Sequence, residues 1–140
     1  VAALHHEALG AADPAALAPL VAWLAVAARR VARPTAEDPR LRKLWAMVDA
    51  EPARAWTRTE LARRAGLSGE HLRRLCQRAL GTSPQAHVAT LRLQRAALLL
   101  RTTPLKLEAV AELVGYGSAY AFSAAFRRRF ACAPGAYRTG

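Results

Sequence analysis

Cysteine, aromatic and acidic side chains are all scarce in this 140-residue chain, and each scarcity excludes something. The two cysteines, Cys76 and Cys132, show no CxxC spacing. They read as small core residues in a reducing compartment, not as a disulfide or a zinc site. Aromatics make up 6% and β-branched residues are few, whereas Ala, Leu and Arg, all strong helix formers, are plentiful. The composition therefore predicts an all-α chain. Long apolar runs are missing as well. The longest uncharged stretch, residues 14–28, is fifteen residues long and contains Pro19, short of the roughly 20 residues a membrane span needs. No signal-peptide pattern is present. At 53% hydrophobic the chain is globular and sized for one domain with a small helical appendage. It opens on Val1 and not on Met, and so reads as a piece of something longer.

Acid is what the second part of the chain lacks most. Residues 1–52 carry six basic and six acidic side chains, while residues 53–140 carry fifteen basic and four acidic ones, the whole of the net +11. A bias confined to one part is the footprint of a polyanion-binding surface. Membrane phosphates compete with nucleic acid for that role, but they call for one free helix with a basic face opposite a long apolar one. Here the basic helices are short and capped. With only Glu60, Glu70, Glu108 and Glu112 in the basic part, acid–base chemistry has little to work with, and no Ser-His-Asp set, phosphate loop or carboxylate pair can be assembled. The expectation is a protein that is not an enzyme. His5 and His6 are adjacent and point to different faces, with no Cys or acidic partner at ligand spacing, so neither metal nor cofactor is expected. His71 and His87 read as packed or solvated.

Helix punctuation divides the chain. Asp13-Pro14 opens a helix running to about Val31 with Leu17, Leu20, Val21, Leu24, Ala28 and Val31 on one stripe. Residues 1–33 thus form a helical segment, and residues 34–37 a linker. Asp38-Pro39 repeats the start, with Leu41, Leu44, Trp45 and Val48 on one face and Glu51-Pro52 as the stop. Thr57-Arg58-Thr59-Glu60 is a capping box flanked by Trp56 and Leu61 at the staple positions. The short helix it opens stops at Gly66, and only Leu67 separates that stop from the next cap, Ser68. Helices joined so tightly must cross at a large angle, the helix-turn-helix arrangement. The second of them buries Leu72, Leu75, Cys76, Ala79 and Leu80 and turns Gly69, Glu70, Arg73, Arg74, Gln77 and Arg78 outward. Ser83-Pro84 then begins a long helix to about Arg101, apolar on several faces and so expected to be a central strut.

The sequence then repeats itself. Leu61-Ala62 through Ala65-Gly66-Leu67 matches Val110-Ala111 through Val114-Gly115-Tyr116 at an offset of 49. After one inserted residue, Gly117, the offset becomes 50: Ser68 matches Ser118, Leu72 Phe122, Cys76 Phe126, Arg78 Arg128, Leu80 Phe130 and Pro84 Pro134. A second unit follows, with a short helix over about 105–114, a turn, and a recognition-type helix over 118–130. About seven helices are expected in residues 38–138, as two helix-turn-helix units joined by the strut. Two such units can present their helices to successive major-groove faces about 34 Å apart.

The pattern resembles the DNA-binding domain of the AraC-type (AraC/XylS) transcription regulators over about residues 38–138. Its carriers are Leu61-Ala62, Gly66-Leu67-Ser68, Leu72-Arg73-Arg74-Leu75, Gly81-Thr82-Ser83-Pro84, Arg92-Leu93, Ala96 and Leu99-Leu100 in the first part. In the second they are Val110-Ala111, Val114-Gly115-Tyr116-Gly117-Ser118, Phe122-Ser123, Phe126-Arg127-Arg128, Pro134 and Tyr137-Arg138. The resemblance implies a bacterial, cytoplasmic, nucleoid-associated regulator that binds double-stranded DNA sequence-specifically. RNA polymerase is a further partner it suggests. Residues 1–33 resemble the tail of a sensor or dimerisation domain, which makes a homodimer through the N-terminal part an expectation. Two departures stand out, Ala124 where the family usually has Arg and Ala131 where it has Gly.

Candidate contacts follow from the outward faces. Arg73 and Arg74 suit bidentate readout of guanine O6 and N7. Glu70 has two readings, accepting from cytosine N4 or favouring its helix N-terminus. Tyr120 suits a thymine methyl or a phosphate. Ser68, Gln77, Arg78, Ser118, Arg127, Arg128 and Arg129 are expected at phosphates, while Arg92 is expected to be structural. Ala119, Ala121, Ala124 and Ala125 offer methyl groups only, so the first unit should dominate base readout. A non-sequence-specific architectural protein is the alternative; it accounts for the charge but not for the repeated cap-turn-helix grammar.

Overall fold

A computed structural model describes residues 38–140. The helical segment expected at 1–33 and the linker at 34–37 lie outside the described residues. Every described element is a helix: α1 (Pro39–Ala50), α2 (Arg58–Ala65), α3 (Gly69–Leu80), α4 (Pro84–Thr102), α5 (Leu107–Leu113), α6 (Ala119–Phe130) and α7 (Pro134–Thr139).

The starts are where side-chain oxygens meet orphan amides. Asp38 accepts from the Arg40 amide, Thr57 from Glu60, Ser68 from His71, Ser83 from Ala86 and Ser118 from Ala121. The box expected at Thr57 is half built. The Thr57 amide donates to Ala55 O, and the Glu60 carboxylate turns instead to Arg54, Arg63 and Arg64 at 2.8–3.0 Å. Three guanidiniums outcompete one amide. Hydrogen bonds from Arg63 and then Arg64 hold the Glu60 carboxyl down at about 2.

Two cores flank the strut. The first gathers Leu41, Leu44, Val48, Trp56, Leu61, Leu72, Leu75 and Cys76 with Val88 from α4. The second gathers Val110, Val114, Phe122 and Phe126 with Leu93, Ala96, Ala97 and Leu100. α4 is thus apolar on several faces because each half serves a different core. Its coverage is incomplete, since Leu98 stays 54% exposed. Helix α5 is shorter than the expected 105–114, because Lys106 is extended as its cap and the Arg138 guanidinium holds the Leu105 carbonyl.

Arg92 has the structural part expected of it. Its Nε and a terminal nitrogen donate to Pro52 O and Arg54 O, both at 2.9 Å. His87 packs with its ring 4.5 Å from that of Trp45, and burial lowers its pKa. Burial also pushes the Cys76 thiol up to about 11, as befits an inert core residue.

Candidate nucleic-acid interface

The first unit builds its outward surface from one amphipathic helix. Helix α2 ends at Gly66, in the left-handed conformation with φ 68°, and Ser68 opens α3 two residues later. Leu72, Leu75, Cys76 and Ala79 anchor the inner face of α3. The 3.6-residue period then leaves Glu70, Arg73, Arg74, Gln77 and Arg78 exposed. Arg73, Arg74, Gln77 and Arg78 line one shallow groove along the helix.

These side chains are not equally available. Glu70 Oε1 lies 2.7 Å from an Arg73 nitrogen, Oε2 accepts from Arg73 Nε at 3.0 Å, and Arg74 Nε stands off at 3.8 Å. The Arg73 guanidinium holds the Glu70 carboxyl below the usual carboxylate value. Arg73 is therefore committed along the helix and Arg74 is the looser guanidinium. The i,i+3 spacing of Glu70 and Arg73 is the sequence signal that could have foretold the pair.

A second cleft lies at the foot of the same helix, lined by Arg58, Gly69, Glu70, Arg73, Ser83 and Pro84 among others. It joins Arg58, at the start of α2, to the amide-rich starts of α3 and α4. Sequence reasoning passed over Arg58; its signal was its place directly after the Thr57 cap.

In the second unit Ser118 caps α6, and Phe122 and Phe126 hold its inner face. Tyr120, 87% exposed, shares an outward groove with Ser123, Ala124, Arg127 and Arg128. Arg129 is not part of that groove; its guanidinium lies 5.7 Å from the Phe130 ring. The Ser68 and Ser118 oxygens each accept their own helix amide at 3.1 Å, leaving the O–H to donate outward. Among the described residues Arg58, Arg78, Arg127 and Arg128 have no ion-pair partner. No cluster of metal-binding side chains and no helix able to cross a membrane occurs among the described residues.

A family model described as a helix-turn-helix domain matches residues 61–140. Over 100 residues the chain is 39% identical to the RCS-specific HTH-type transcriptional activator RclR of Escherichia coli K12, covering 71% of this chain and 35% of that protein. It is 35% identical over 101 residues to a putative AraC-like transcription regulator of Streptomyces antibioticus, covering 72% and 33%. The chain thus spans about a third of the length of the curated relatives it matches. Among solved structures, an AraC-type regulator from Chromobacterium violaceum superposes with a TM-score of 0.69 at 29% identity, covering 72% of this chain and 90% of that one. The DNA-binding domain of the global transcriptional factor AdpA, solved with a target DNA, gives 0.67 at 28% identity, covering 74% and 92%. With the family model spanning residues 61–140 and the double helix-turn-helix matched in sequence and in shape, this chain belongs to the AraC-type family of transcription regulators.

Proposed function

We propose that residues 38–138 are the sequence-specific, double-stranded DNA-binding part of a bacterial transcription regulator, with α3 and α6 entering successive major grooves. The observation that carries this reading is the outward face of α3, where Arg73, Arg74, Gln77 and Arg78 line one groove on the second helix of a helix-turn-helix. The AdpA domain, of like fold, was solved on its target DNA.

Arg74 is the principal base reader. Arg73 and Glu70 act as a pair, the carboxylate limiting where the guanidinium can reach. Tyr120 is the one large outward group on the first turn of α6. Ser68, Gln77, Arg78, Ser118, Arg127 and Arg128 take phosphates, with Arg129 at the periphery of that set and Arg58 added to it. The work is binding, not catalysis, and needs no cofactor. RNA polymerase contact, dimerisation through residues 1–33, and a cytoplasmic, nucleoid-associated location complete the reading.

Selection of bound duplexes from a random pool at a stated salt concentration tests it. The expected result is a motif of about 15–20 base pairs with two blocks one helical turn apart. A bound pool with no enriched motif would instead make the protein architectural.

A further inference from the structure

The two units share little beyond the strut. The extensive helix–helix contacts all lie within one unit or involve α4, and the two buried clusters divide on α4 between Val88 and Leu93. No common core joins the units, so their relative orientation rests on the strut that both pack against. A direct contact between the units adds to it.

Gly115, in the turn of the second unit, sits at φ 91° against the α1–α2 loop of the first. A Cβ there would lie 2.9 Å from Pro52 O, 3.1 Å from Ala53 Cα and 3.1 Å from the Arg92 guanidinium carbon. Arg92 is the third wall of this joint, donating to Pro52 O and Arg54 O from mid-strut, and Arg95 donates to Asp49 O at 2.8 Å one turn further on. Charge-assisted bonds from a half-buried guanidinium are strong and directional. The matched turn glycine of the first unit supplies the contrast. Gly66 also has a positive φ, 68°, but a Cβ there would meet nothing within 4 Å. So Gly66 answers to its own turn alone, and Gly115 also to a neighbour.

We propose that Gly115 and Arg92 form a spacing ruler, a joint that locks the second unit against the Pro52–Ala53 backbone so that the pair recognises two blocks at one separation. The inference rests on the two-unit reading above. A rigid link raises the effective concentration of the second unit at its own block only when the separation fits.

The test measures affinity of the 140-residue chain for selected duplexes with the two blocks at their native separation, moved by about two base pairs, or present singly. Wild type should lose about tenfold in affinity on the displaced duplex, because simultaneous engagement is then geometrically forbidden. Arg92→Gln and Gly115→Ala should shrink that loss to about twofold, leave single-block affinity near wild type, and weaken the native duplex. Gly66→Ala strains a turn without touching the joint and should keep the wild-type profile. The ruler is overturned if folded Arg92→Gln keeps the wild-type spacing preference, or if its single-block and two-block affinities fall in step. Arg92→Gln decides even where Gly115→Ala folds poorly, since it leaves the turn unstrained. Wild type binding every separation equally would also overturn the ruler, whereas wild type binding two blocks no better than one would sink the two-unit reading itself, a distinct outcome.

Discussion

The two units run the same backbone through different chemistry. The repeat extends into the helix that precedes each helix-turn-helix, with Leu44 and Val48 of α1 standing 49 residues before Leu93 and Ala97 of α4, all four buried. At the same offset, Glu51 O corresponds to Leu100 O and Trp56 O to Leu105 O. In the first unit the Trp56 indole donates to Glu51 O at 2.8 Å, and the Gln85 amide to Trp56 O at 3.1 Å. In the second, one guanidinium serves both carbonyls, Arg138 donating to Leu100 O and Leu105 O. The fold demands that these carbonyls be satisfied and leaves open which side chain does it. The cores diverge as well. The first has mainly aliphatic residues around Trp56, whereas the second stacks Phe122, Phe126, Phe130 and Tyr137.

The largest effect should come from that aromatic stack. Phe126 is fully buried, with its ring 4.4 Å from Phe130 and 5.3 Å from Tyr137, while its counterpart Cys76 is equally buried among aliphatics. Phe126→Ala should cost about 3–5 kcal/mol, and Cys76→Ala about 1 kcal/mol, from cavity and transfer terms together. Urea unfolding of both variants reads the difference. Equal midpoints would mean the second core does not depend on its rings as described.

The carbonyl clasp comes next. Arg138→Ala should cost about 1.5–3 kcal/mol, because it orphans two carbonyls at once and removes a charged donor, against about 1 kcal/mol for Gln85→Ala. The same unfolding series decides it. An Arg138→Ala loss no greater than that of Gln85→Ala would show that water replaces the guanidinium freely.

A similar magnitude is expected at the DNA surface, and of a different kind in each unit. Arg74→Ala should cost about 1–3 kcal/mol on the best site and relax preference at one or two base pairs. Arg128→Ala should weaken all sequences alike and lower the slope of log affinity against log salt by about one. Both variants can be profiled on one randomised pool. Loss of base preference by Arg128→Ala alone would reverse the roles of the two helices.

Legibility in the sequence followed the range of each interaction. Caps at Asp38, Thr57, Ser68, Ser83 and Ser118, the turn at Gly66 and the inner faces of α3 and α6 are set by neighbours within about four residues, where spacing carries the information. The outward faces of α3 and α6 were legible for the same reason. What spacing hid is non-local or competitive. Nothing near Gly115 announces that Pro52 lies against it, and nothing near Arg138 announces Leu100 and Leu105. Glu60 and Glu70 had visible partners, but which of several donors wins is decided by geometry: Arg63 and Arg64 take Glu60 from the Thr57 amide, and Arg73 takes Glu70 ahead of Arg74.

The smallest effect is also the cleanest contrast between the units. Each recognition helix ends on a residue in the left-handed conformation, Gly81 with φ 70° after α3 and Ala131 with φ 59° after α6. Ala131 is the one non-glycine residue with positive φ among the described residues. Its Cβ crowds the following carbonyl, a cost of roughly 1–2 kcal/mol that glycine escapes, offset in part by the greater freedom glycine has in the unfolded chain. Ala131→Gly should therefore stabilise the protein by about 1 kcal/mol, and Gly81→Ala should destabilise it by about as much. A Cβ at Gly81 would meet no atom within 4 Å, so its penalty is backbone strain alone and the two substitutions measure the same quantity with opposite sign. Thermal midpoints of the two variants and of the double exchange check this. The double exchange should return close to wild type, since the two caps belong to different units and their effects should add. A gain at Ala131 without a loss at Gly81 would mean that something other than the left-handed cap sets the end of α6.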